Sequence, residues 1–119
     1  MNTQPIPTTK DGLIQAISKH HVEIATQIEE LANVQNEIHM DKFKLKNLEA
    51  EINVKARATL GKPTIDAVEA VISMDENVIT ARRNLEISNQ HLVSDKAKLE
   101  ILQEQFRSMQ LIASLLVSN

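Results

Sequence analysis

Leu60-Gly61-Lys62-Pro63-Thr64 is the one strong interruption in a chain whose other glycine and prolines all fall at or before Gly12. Glycine suits the left-handed residue that follows a helix, and proline cannot continue one. Thr64 is a good N-cap, and Asp66 places a carboxylate in the first turn of whatever helix begins there. The stretch therefore predicts two helices joined by a turn so short that they must run antiparallel.

Moving upstream, Ile17, Ile24, Leu31, Ile38, Leu45 and Ile52 recur every seven residues. Six consecutive heptads make a coiled-coil seam. A second line offset by four residues is poorer. Ile28 and Leu48 fit around it, but His21, Gln35 and Lys42 fall there too, which suggests a partner that changes along the helix. Downstream, Val71, Val78, Leu85, Leu92, Leu99 and Phe106 give another six heptads, joined near the end by Leu102, Met109 and Leu116. Pro7 and the Thr8 to Asp11 capping-box pattern start the first helix near Lys10. The expected fold is all-α: a flexible tail over residues 1–9, then an antiparallel two-helix hairpin with helices over about 10–60 and 64–117.

About 50 residues of helix span roughly 75 Å at ~1.5 Å per residue. A two-helix rod encloses no core, and apolar residues such as Val54, Ile65, Ile79 and Ile101 lie off the main seams. Composition agrees: 42% of the chain is apolar, but there are two Phe and no Trp or Tyr, so a long interface fits better than a deep core. Self-assembly is the economical way to cover such surface. Val71, Val78, Leu85, Leu92, Leu99, Phe106, Met109 and Leu116 are the candidate oligomerisation residues.

Little in the sequence points to catalysis. Cysteine is absent, two glycines cannot build a phosphate-cradling loop, and His20, His21, His39 and His91 match no zinc or di-iron spacing. No catalytic residue, metal or cofactor is expected. The first nine residues lack the regions of a signal peptide, and no apolar run approaches the ~18–20 residues needed to cross a bilayer. A cytoplasmic protein is the expectation.

Charge is the informative feature. The chain carries 13 basic and 16 acidic residues, net -3. Between residues 42 and 62, however, six basic residues (Lys42, Lys44, Lys46, Lys55, Arg57 and Lys62) face only Glu49 and Glu51, a local +4. A polyanion should meet the chain there. With so few rings to stack on bases, binding of a single strand would rest on its phosphates. The competing explanation is structural: cations in a last helical turn offset the negative end of the helix dipole.

Asn53-Val54-Lys55-Ala56-Arg57 and the run Val71-Ile72-Ser73-Met74-Asp75-Glu76-Asn77-Val78-Ile79 resemble, in order and rough spacing, two segments of the UvsY family, the recombination mediators of T4-like phages. The resemblance covers about residues 40–115. It implies a ring-forming helical homo-oligomer that binds single-stranded DNA and helps load a RecA-like recombinase where a single-strand-binding protein sits. Carried over, the family's DNA-binding Lys and Arg fall on Lys55 and Arg57. The alternative from the residues alone is a coiled-coil structural or adaptor protein that binds no DNA.

Overall fold

A computed structural model describes residues 9–118, and their side chains as far as Leu116. The fold is all-α: α1 spans Lys10–Leu60, α2 Ile65–Met74 and α3 Glu76–Ser118. The long helices α1 and α3 form an antiparallel hairpin, with the short α2 between them in sequence.

Each helix starts where a side chain replaces missing backbone partners. At α1 that side chain is Thr9, whose Oγ1 accepts from the Gly12 N–H at 3.2 Å. Thr8, the expected capping residue, lies outside the described residues, as does the rest of the expected tail. Gly61 takes φ +81° after α1. Thr64 Oγ1 then accepts from the Ala67 N–H at 3.1 Å and opens α2.

The second helix is not continuous, contrary to the expectation of one helix over 64–117. Asp75 sits between α2 and α3 with extended backbone, φ -69° and ψ 128°. Its Oδ1 accepts from the N–H groups of Asn77 (2.9 Å) and Val78 (3.1 Å), so it is the N-cap of α3. Its own N–H still closes α2, donating to the Ile72 carbonyl at 3.2 Å. One aspartate therefore ends one helix and begins the next. The break also shifts the inward face: Val68 and Ile72 are buried, while Val71, the expected seam residue, is 39% exposed.

The chain forms two compact units, one of residues 33–92 and one of the two chain ends, up to Ala32 and from Val93. In the first, Ile52 and Ala56 of α1, Val68 and Ile72 of α2 and Val78 of α3 make an apolar cluster, with Leu45 and Leu48 packed against it. Arg82 of α3 binds Glu49 of α1 through Nε and Nη2, at 3.3 and 3.2 Å. In the second unit, Leu13 and Met109 are buried, and the His21 and Phe106 rings lie 6.1 Å apart.

The expected seam line from Ile17 to Ile52 is buried or half-buried throughout. Its companion is different from the expected one. The second line runs three residues away, not four, through Leu13, His20, Gln27, Val34, Asp41 and Leu48, none of which is exposed; His21, Ile28, Gln35 and Lys42 all are. Polar residues tolerate this position because each finds a partner. His20 Nε2 lies 2.8 Å from the Leu102 carbonyl oxygen. Gln27 Nε2 donates to the Asp95 carbonyl at 3.2 Å. In the other unit Ser88 Oγ donates to Asp41 at 3.2 Å. No buried side-chain nitrogen or oxygen among the described residues lacks a partner.

Candidate nucleic-acid interface

All six basic residues of the 42–62 stretch are exposed. Lys55 Nζ pairs with Glu51 at 3.1 Å, and Arg57 Nε donates to the neutral Asn53 Oδ1 at 2.8 Å. Lys42, Lys44, Lys46 and Lys62 have no ion-pair or hydrogen-bond partner among the described residues. Both pairs of Lys55 and Arg57 are i to i-4 contacts along α1, which hold the side chains without neutralising Arg57.

Helix geometry divides this set. At ~100° per residue, Lys44 and Lys55 fall within about 20° of each other, and so do Lys46 and Arg57, but the two lines lie roughly 160° apart. Lys55 and Arg57 therefore occupy different flanks of α1, which stays helical to Leu60. One strand cannot reach both from a single side of one copy. Lys62 lies beyond the helix, in the turn with Gly61.

The candidate oligomerisation residues are placed unevenly. Val78 and Met109 are buried, and Leu85, Leu92, Leu99 and Phe106 are half-buried, along the line of α3 that the hairpin uses. Val71 and Leu116 are exposed. Large apolar side chains facing outward are found elsewhere: Met40, Phe43 and Val54 on α1, Ile65 and Met74 on α2, and Ile101, Leu111 and Leu115 on α3. Sequence periodicity alone could not separate these from seam residues, because a three- or four-residue offset moves a side chain from one face to another.

A shallow cleft in the unit of residues 33–92 is lined by Glu37, Asp41, Asn84, Ile87, Ser88 and His91. Among the described residues no group of three or more His, Asp or Glu side chains could hold a metal ion. No described helix is long and apolar enough to cross a membrane. No protein-family model, curated protein or solved structure matches the chain. The likeness to UvsY-type mediators thus rests on residues 53–57 and 71–79, the second of which spans the α2–α3 junction at Asp75.

Proposed function

We propose that this chain is a non-catalytic, self-associating helical hairpin that binds single-stranded DNA through the cations at the turn end of α1, Lys55, Arg57 and Lys62, with Lys42 contributing. The observation that carries this reading is that these cations are exposed and concentrated in one stretch of a net-negative chain. Phosphate binding depends on local charge density more than on net charge. The split between Lys55 and Arg57 means that neighbouring copies must share a strand, so binding and assembly are coupled. The likeness to UvsY-type mediators supports two further steps: closure of the oligomer into a ring, and help in loading a RecA-like recombinase in the presence of a single-strand-binding protein.

A second reading is favoured by the Lys55–Glu51 pair and by the position of Arg57 in the last turn of α1. Both residues then serve the helix, and the chain is an assembly protein without DNA. A fluorescence-anisotropy titration of a labelled single-stranded oligonucleotide at low and high salt separates the two. Salt-sensitive binding is expected, and its absence in dilute buffer assigns the chain to the second reading.

A further inference from the structure

The outward face of α1 between Asn36 and Asn47 is chemically symmetric about its own midpoint. Stepping outward from the point between Asp41 and Lys42, Met40 mirrors Phe43 and Asn36 mirrors Asn47, while the unlike Asn33 and Ala50 hold the next mirrored positions. These six follow the alternating three- and four-residue spacing of a coiled-coil seam, and all are exposed, Met40 at 53% and Phe43 at 60%. They lie on the side of the helix away from Ile38, Asp41, Leu45 and Leu48, which face α3 or the core. Along one edge of this face Glu37 and Lys44, two turns apart and within about 20° of each other around the helix, carry opposite charges. Neither has a partner in the chain among the described residues.

We propose that this face is a two-fold interface with a second copy of the chain, in which α1 packs antiparallel on α1 of its partner. A two-fold axis makes every contact occur twice, residue i on j and j on i, so only a face that complements its own reversal can use one. This one does. Met40 packs on the partner's Phe43 and Phe43 on the partner's Met40, giving an apolar centre of four large side chains. Asn36 meets the partner's Asn47 on either side, and paired asparagines in such a seam fix register because any slip leaves an amide against an apolar side chain. Glu37 meets the partner's Lys44, and Lys44 the partner's Glu37, because an antiparallel pair brings the same edge of each helix together. Parallel pairing would bring opposite edges together, setting Glu37 beside the partner's Ala32 and Lys44 beside the partner's His39, which leaves Glu37 without a cation. A second copy is thus the occupant that the Glu37–Lys44 complementarity and the twice-repeated Met40–Phe43 and Asn36–Asn47 contacts select. The interface leaves Lys55, Arg57 and Lys62 uncovered. It rests on the self-association of the proposed function and goes beyond it by naming the face, direction and register.

The chain contains no cysteine, so introduced thiols report on it cleanly. In antiparallel register Asn36 of one copy lies beside Asn47 of the other, while the two Asn36 residues are separated by about 16 Å along the axis. Asn36→Cys mixed with Asn47→Cys should cross-link under mild oxidation to a mixed dimer, whereas each variant alone should not. Glu37→Lys should weaken dimerisation about tenfold or more in sedimentation equilibrium, and Glu37→Lys with Lys44→Glu should restore it, with helix content by circular dichroism constant. Efficient cross-linking by Asn36→Cys alone would mean parallel pairing and overturn the proposal. An oligomer that gives no mixed cross-link and ignores the charge changes would overturn it too, moving the interface to another face while leaving self-association intact. A chain that sediments as a monomer up to hundreds of micromolar would overturn both.

Discussion

Asp75 Oδ1 accepts a hydrogen bond from the backbone N–H of Val78 at 3.1 Å, and Val78 is the most completely buried residue of the apolar cluster it shares with Ile52, Ala56, Val68 and Ile72. The cap that starts α3 therefore also fixes where its first core residue enters. Removing the carboxylate exposes two backbone donors at once, since Asn77 N–H is held by the same oxygen. Asp75→Ala should lower the unfolding free energy by about 1 kcal/mol, the usual effect of losing an N-cap. Asp75→Asn should retain most of it. Urea denaturation curves that coincide for the wild type and Asp75→Ala would show that the junction is held by packing alone.

Gly61 adopts φ +81°, and a Cβ built there meets nothing within 4 Å. Any effect of substitution must come from the backbone, not from crowding. Gly61→Ala should destabilise by roughly 1–2 kcal/mol, because an L-residue in the left-handed region brings Cβ against its own carbonyl. Gly61→Asn should cost less, as asparagine tolerates that region better. Equal destabilisation by the two variants would contradict this account.

Gln27 donates to the Asp95 carbonyl from within the seam, at 3.2 Å. That carbonyl sits in the middle of α3, where the helix already supplies a donor, so it is not orphaned when Gln27 is replaced. Gln27→Leu should leave the melting temperature unchanged or raise it, since an apolar replacement removes the desolvation of a buried amide. A clear fall in stability would mean that the amide contributes more than register.

These polar layers mark the limit of what the sequence discloses. The heptads from Ile17 to Ile52, the turn at Gly61 and the antiparallel hairpin all follow from strong local signals: periodic aliphatics, and a glycine and proline in one turn. The companion line does not, because apolar pattern favours Ile28 while the fold turns His20, Gln27 and Asp41 inward. Each of those is acceptable only because α3 presents a carbonyl or hydroxyl at the right height, which a single helix cannot reveal. The break at Asp75 is hidden for a related reason: Val71 and Val78 keep the seven-residue spacing, and one capping side chain overrides it. For the basic stretch, the concentration of charge along α1 is plain from residue order, but its division between two flanks emerges only once α1 is known to stay helical to Leu60.

The division of flanks shapes the last prediction, on single-stranded DNA. Lys55 is tied to Glu51 at 3.1 Å, whereas Arg57 leans on an uncharged asparagine, so Arg57 is the more available cation of the two. The Lys55–Glu51 pair is exposed and contributes little to stability, so it can open when a phosphate approaches. Arg57→Ala should weaken binding more than Lys55→Ala, and the double variant should also flatten the dependence of log affinity on log salt, by about 0.7 for each phosphate no longer neutralised. Glu51→Gln should strengthen binding by releasing Lys55. Glu49 is unsuitable for the same purpose: its carboxylate binds Arg82 on α3, so Glu49→Lys would set two cations against each other inside the hairpin and confound affinity with folding. Helix content and oligomer mass should stay constant through Lys55→Ala, Arg57→Ala and Glu51→Gln, because none of these side chains is buried. Anisotropy titrations at several salt concentrations measure all of this in one series. Unchanged affinity in the double alanine variant would place the strand elsewhere on the chain, and a salt slope that did not fall with it would show that Lys55 and Arg57 touch no phosphate.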